Sequence, residues 1–234
     1  GVLPAGPMTG NHNIPVIVDS YAKGITDFDV ELAYEAMDKA LSEPPYVRPD
    51  IENYVRYGYV PAEQSYSATK TLEYAFNDWA MAEFALLLGR EEEHERYAER
   101  ALSYQRIFNP ATKFMQAKTR SGDWVDEGFR EGDKWTYSWF APHDVQGLIN
   151  LMGGDELFVE KLNSCFEQDY YVHDNEPPLH YAYLFNYAGR PGLTQKWVAD
   201  VLRLNYTADP GGLPGNDDLG ALSAWYILSA MGFY

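Results

Sequence analysis

The chain of 234 residues carries 18 basic and 35 acidic side chains, a formal charge of −17, and 46% of its residues are apolar. That much apolar material builds one substantial core, while the charge repels a phosphate backbone and excludes nucleic acid as a partner. No run approaches the roughly 18 consecutive apolar residues of a membrane span.

Taken in chain order, the N-terminus shows no basic region followed by an apolar segment and a cleavage site. Gly1 in place of Met, and a last helix that stops at Gly232-Phe233-Tyr234, suggest a piece of a longer protein. The first periodic helix covers 30–41 and is closed by Pro44-Pro45. From Ser67, read as N-cap, Leu72, Ala75, Phe76, Trp79, Ala80 and Phe84 form a broad stripe that ends at Gly89, with Trp79 expected in the core. Glu91-Glu92-Glu93 opens a third helix through Ile107, its carboxylates at the positive end of the helix dipole. So tight a connection makes the two helices antiparallel neighbours.

Further helices are expected over 142–152, 155–166, 177–188, 191–206 and 219–231, separated by Gly153-Gly154, Gly189-Arg190-Pro191 and Asp209-Pro210-Gly211-Gly212. The single cysteine, Cys165, excludes an internal disulfide or a thiolate zinc cluster and reads as a small buried hydrophobe. Strand alternation is almost absent. Helical hairpins in series, with long loops between some of them, predict an all-α chain, an α/α toroid forming one helical domain over 1–234.

Phosphate-loop, dinucleotide-turn, zinc-helix and nucleophile-elbow motifs are all missing. What remains is five polar clusters at or just before helix starts: Gly10-Asn11-His12-Asn13, Glu131-Gly132-Asp133-Lys134-Trp135, Pro142-His143-Asp144, His173-Asp174-Asn175-Glu176-Pro177 and Gly215-Asn216-Asp217-Asp218. Each alone reads as a helix cap. Together they suit glycoside hydrolysis, which needs a carboxylic acid to protonate the departing oxygen and a carboxylate to activate water, about 6.5–9.5 Å apart in inverting enzymes. Nineteen Tyr and six Trp suit a site that stacks sugar rings.

The stretches from Ser67 to Ala75, from Trp139 to Asp144, Asn175-Glu176-Pro177 with Asn186-Tyr187-Ala188-Gly189, and Gly215-Asn216-Asp217-Asp218 with Ser223-Ala224-Trp225-Tyr226 resemble the signature blocks of glycoside hydrolase family 92, in family order. The resemblance implies most of a six-hairpin (α/α)6 catalytic barrel, preceded by a β-sandwich domain absent from this chain. It implies an exo-acting, inverting α-mannosidase that removes terminal mannose from glycans such as N-glycans, with a calcium ion assisting sugar binding. Its expected location is secreted, periplasmic or cell-surface. Without the sandwich and the early barrel helices, these residues alone are not expected to turn over substrate.

Residue by residue, the resemblance makes Glu131 the general acid and Asp218 the general base, with Asn216, an Asp in some members, assisting. Asn175 and Glu176 match the calcium and sugar segment and are oxygen donors suited to a hard cation. His173 and Asp174 then approach the leaving-group side, and Trp135, His143, Asp144 and Asp217 line the sugar site, although His143 equally suits a structural hydrogen bond. Where the family motif reads Glu-Gly-Asn, this chain has Glu131-Gly132-Asp133, with another negative charge next to the acid. A calcium-dependent carbohydrate-binding module would keep Asn175 and Glu176 without needing Glu131. Another toroid glycosidase or lyase would fit the architecture, and only the order of the blocks argues against it.

Overall fold

In the computed structural model, which describes residues 9–44 and 47–233, the chain is all-α apart from two hairpins of two-residue strands. The expected helix-end residues Pro45 and Tyr234 lie outside the described residues. Two compact units, Gly1–Glu131 and Gly132–Tyr234, divide the chain.

The first unit holds α1 (Asn13–Ala22), α2 (Val30–Ser42), α3 (Ile51–Tyr57), α4 (Ser67–Leu87), α5 (Glu91–Ala101) and a 3-10 turn over Leu102–Ile107. The hairpins β1 (Phe108–Asn109) with β2 (Phe114–Met115) and β3 (Ala117–Lys118) with β4 (Trp124–Val125) follow, pairing Phe108 with Met115 and Ala117 with Val125. α2 starts where its pattern predicts, with the Asp29 carboxylate accepting from Leu32 N–H at 3.0 Å. The predicted α4–α5 hairpin is present: Asp78 pairs with Arg100 and the Ala82 carbonyl meets His94 Nδ1 at 3.0 Å, an antiparallel register turned at Gly89 with φ 72°. The core joins Ile14, Leu41, Met81, Phe84 and Tyr97, with Trp79 partly buried against it.

Beside that core lies a buried ionic knot. Asp78, fully buried, accepts from Arg48 Nη1 at 2.7 Å, Arg100 Nε at 2.9 Å and the Tyr54 hydroxyl at 3.1 Å. Two cations and a hydroxyl on one carboxylate offset the large cost of stripping water from charges, which an incomplete set would leave standing.

Three expectations are corrected here. α1 and α3 are additional helices: α3 has seven residues, too few for a periodic stripe, and α1 carries Pro15 in its first turn. Ser67 is not the N-cap of α4. That position belongs to Tyr66 at φ 56°, and Ser67 is fully buried as the first helical residue. The N–H groups of Ala68 and Thr69 donate to the Gly128 carbonyl at 3.0 and 3.3 Å, so a loop some sixty positions away closes the helix end.

The second unit holds α6 (Lys134–Tyr137), α7 (Val145–Met152), α8 (Asp155–Glu167), a 3-10 turn over Tyr181–Asn186, α9 (Pro191–Asn205), a short 3-10 turn over Asp218–Gly220 and α10 (Ala221–Met231). α7 starts three residues later than expected because Asp144 caps it, accepting from Gly147 N–H at 2.9 Å. The third correction concerns 177–188, which is turns and 3-10 helix rather than α-helix. Its hydrogen bonds run to the third residue back, as from Tyr181 N–H to the Pro178 carbonyl at 3.0 Å and from Tyr183 N–H to the His180 carbonyl at 3.1 Å. Cys165 is buried as expected, and burial pushes its thiol up to about 12.

His180 sits in this turn region with Nε2 at 3.2 Å from the Trp139 carbonyl, which only accepts, so the neutral ring carries its proton on Nε2. Burial pulls its pKa from 6.5 down to about 4. The unfolded chain takes up a proton near 6.5 that the folded chain refuses until about 4, so stability present above that window is lost as pH falls through it. The expected loss is on the order of 1–3 kcal/mol. Urea midpoints at about pH 7 and about pH 4.5 measure it; the drop should shrink in His180→Gln, and equal drops in both proteins would contradict the assignment.

Candidate active site

In the first unit, the loop that ends at Glu131 is bolted to the start of α4. Besides the Gly128 carbonyl contacts, Arg130 N–H donates to Thr69 Oγ1 at 3.0 Å and Arg130 Nη1 donates to the Tyr66 hydroxyl at 2.9 Å. Gly128 has φ 93°, and a Cβ there would lie 2.7 Å from Ser67 Oγ, so no larger residue fits. Glu131 follows at φ 50°, its side chain half exposed and its carboxylate 3.0 Å from Arg130 Nη2. The Tyr66 hydroxyl, and after it Glu131, hold the Arg130 guanidinium above its usual pKa. Non-glycine residues rarely adopt this backbone region, and holding one there costs about 1–3 kcal/mol.

In the second unit, several expected site residues serve the local fold. The Asp133 carboxylate caps α6, accepting from Trp135 N–H at 2.8 Å and Thr136 N–H at 3.0 Å. Trp135 stacks on Tyr170 with centroids 4.4 Å apart, and Lys161 Nζ lies 5.3 Å from the indole. His143 and Asp144 are partly buried, Asp144 acting as the α7 cap described above. Asp217 accepts twice from Ser223, from N–H at 2.8 Å and from the hydroxyl at 2.6 Å. Those bonds, the hydroxyl first, hold its pKa below the ordinary carboxylate value.

His173 is 2% exposed, and its nitrogens lie 2.5 Å from the Tyr171 hydroxyl and 2.7 Å from the Tyr206 hydroxyl. Burial pulls its pKa down to about 4, so the ring is neutral at ordinary pH. In this conformation it props the segment above it rather than offering a nitrogen to a ligand. Tyr171 and Tyr206 complete that prop without any local signal in the sequence; Ser223, which holds Asp217, lies in the Ser223-Ala224-Trp225-Tyr226 block.

Two of the expected clusters meet. A Cβ on Gly215 would overlap the Asp174 carbonyl, so the backbone of 173–176 presses directly on the start of 215–218. This contact sets Asn175 and Glu176, both partly buried, beside a turn in which Asn216 and Asp218 are exposed. The turn itself is strained: Asp218 at φ 25°, Leu219 at φ 58° and Gly220 at φ 86° follow one another. A cleft of about 470 Å³, lined by Tyr206, Thr207, Asp209, Ser223 and Tyr226, opens on the flank of Ser223.

Asn175 and Glu176 are the right kind of donor for a hard cation, an amide oxygen and a carboxylate. The amide oxygen accepts from Glu176 N–H at 3.0 Å, which fixes its direction. Among the described residues no group of three or more His, Cys, Asp or Glu side chains converges to hold a metal. The pair therefore fits a cation in chemistry and supplies part of the six to eight oxygens calcium takes.

The Glycosyl hydrolase family 92 catalytic domain matches residues 3–234. The chain belongs to glycoside hydrolase family 92. It is 38% identical to the family 92 α-mannosidase BT3965 of Bacteroides thetaiotaomicron, with a TM-score of 0.91 over 97% of this chain and 33% of that one. The family 92 inverting mannosidase BT2199 of the same bacterium is 34% identical, with a TM-score of 0.91 over 98% of this chain and 36% of that one. An uncharacterized secreted glycosidase of Arthroderma benhamiae is 29% identical over 97% of this chain and 35% of that protein. The chain thus spans about a third of the length of these relatives. Among the described residues no helix is long and apolar enough to cross a membrane.

Proposed function

We propose that this family 92 chain supplies the acid and base of an exo-acting, inverting α-mannosidase. One observation carries the proposal: among the described residues only six non-glycine residues have positive φ, and Glu131 and Asp218 are two of them. Strained backbone persists where surrounding structure over-determines it, and it gathers at sites where the strain places a reacting group. A binding module has no such use for Glu131. The family 92 relatives described as α-mannosidase and as inverting mannosidase support the substrate and the stereochemistry.

In this mechanism the Glu131 carboxyl gives its proton to the departing glycosidic oxygen as the bond to the anomeric carbon breaks. Asp218 takes a proton from the water that attacks the opposite face, so one proton leaves the protein and one returns to it in each cycle. Asn216, next to the base and exposed, assists in orienting that water. Asp217 fixes the base turn through Ser223, and Trp135, His143, Asp144, His173 and Asp174 form or support the sugar site. Asn175 and Glu176 would hold a calcium ion. Such an ion, when bound, offers vacant coordination to a pair of sugar hydroxyls.

The substrates are mannose-containing glycans, an upstream β-sandwich of the same protein completes the pocket, and the secreted relative supports action outside the cell. Mannose release by the full natural polypeptide should vanish in excess chelator and return on adding calcium. Full activity in chelator would remove the ion from the proposal.

A further inference from the structure

The turn that carries Asp218 is tied to the rest of its unit by a hydroxyl that stands outside every signature block. Tyr206 follows α9 directly, and its oxygen lies 2.7 Å from His173 Nε2 and donates to the Leu222 carbonyl at 3.2 Å. A carbonyl only accepts, so the one phenolic proton goes to Leu222, and Nε2 carries the imidazole proton that Tyr206 receives. His173 Nδ1 then accepts from the Tyr171 hydroxyl at 2.5 Å. The bonds form one directed chain from Tyr171 through His173 and Tyr206 to Leu222. Burial, and after it the charge of Asp217, holds the Tyr206 hydroxyl above its usual pKa, so that proton stays in place.

The chain ends where Asp218 is positioned. Leu222 is the second residue of α10, and its neighbours on both sides bond to Asp217: Ala221 N–H donates to the Asp217 carbonyl at 2.7 Å, and Ser223 donates twice to the carboxylate. Asp218, Leu219 and Gly220, all at positive φ, lie between these anchors. Backbone in such a region persists only while the structure around it holds its flanks. Tyr206 ties the α10 flank to His173.

At its other end the chain fixes the segment of Asn175 and Glu176. His173 opens that segment, and the Asp174 carbonyl after it leaves no room for a Cβ on Gly215, where the base cluster begins. Rings hold this arrangement in place. Trp225, which is buried, lies parallel to Tyr206 within 7° and has its ring centroid 4.3 Å from that of His173, while its Nε1–H donates to the Leu179 carbonyl at 2.7 Å. Packing needs only the Tyr206 ring; the hydroxyl adds a bond aimed at the first turn of α10.

We propose that Tyr206 is a positioning residue for the base: its hydroxyl, held by His173, sets the place of the first turn of α10 and, through it, of Asp218. This rests on Asp218 being the base in the function proposed above. The test uses the full natural polypeptide, with calcium and mannoside saturating and circular dichroism reporting the fold. Tyr206→Phe keeps the ring and removes the bond. It should lower kcat by about 10- to 100-fold, the range that a misplacement of about 1 Å can cause. The loss should be the same on a natural and an aryl mannoside, because water must be activated for both.

A double variant separates positioning from stability. Once Asp218→Asn has removed the group that Tyr206 places, adding Tyr206→Phe should change the residual rate by less than about 2-fold. A loss of packing or of folded fraction would instead multiply the rate by the same factor in either background. His173→Phe breaks the chain from its other side and should give the same pattern if Tyr206→Phe folds poorly. A normal kcat in the single variant, or multiplied losses in the double variant, overturns the positioning role and leaves Tyr206 a structural hydrogen bond. A slow Asp218→Asn beside a normal Tyr206→Phe overturns that role alone. A near-normal Asp218→Asn overturns the base reading, and the role of Tyr206 with it.

Discussion

Glu131→Gln is expected to slow release of mannose from a natural α-mannoside by about 10²–10⁴-fold, the span typical of general acid–base catalysis. An aryl mannoside whose phenol leaves readily should lose far less, because a good leaving group needs no proton. The comparison is sharp here because Glu131 also pairs with Arg130 at 3.0 Å, in a loop that caps α4. A purely structural role would slow both substrates by the same factor, since the lost interaction would not depend on leaving-group basicity. The measured quantity is therefore the wild-type to variant ratio of kcat/KM on one substrate divided by that on the other. A value near one would sink the acid assignment.

Asp218→Asn should show the opposite signature. The attacking water must lose a proton whatever group departs, and an amide cannot take it, so natural and aryl substrates should both slow by about 10²–10⁴-fold. Asp217→Asn is the matched control. Asp217 accepts two bonds from Ser223 at the start of α10, so its loss should appear as lower thermal stability. A near-normal rate for Asp218→Asn on either substrate would move the base elsewhere.

Both carboxylates stand out in the amino-acid sequence because the motif around each resembles a family pattern. Their backbone state does not. Both have positive φ, Glu131 at the end of a loop held on the α4 terminus and Asp218 next to the Asp217–Ser223 bonds at the start of α10.

Helical periodicity is a local property, and wherever a stripe is long the sequence alone determines the helix: α2, α4, α8, α9 and α10 lie within a few residues of their expected bounds. The burial of Cys165 and the antiparallel α4–α5 pair follow from equally local signals. Asp29 and Asp144 cap α2 and α7 locally, but what closes the start of α4 is decided by the tertiary structure. Ser67 has the composition of a cap, but the Gly128 carbonyl reaches the first amides of α4 before any side chain does. In 177–188 the apolar pattern favours an α-helix, and the folded chain forms turns and a 3-10 helix instead. The polar clusters divide in the same way. Asp133, Asp144 and Asp217 turn inward to satisfy backbone or hydroxyl donors nearby. Asp78, on a helix that sequence alone reads as core, is met by Arg48 and Arg100 from other helices and loops. What a carboxylate does depends on which donors reach it: for Asp133, Asp144 and Asp217 they lie two to six residues along the chain, whereas for Asp78 they come from parts of the chain that only folding brings together.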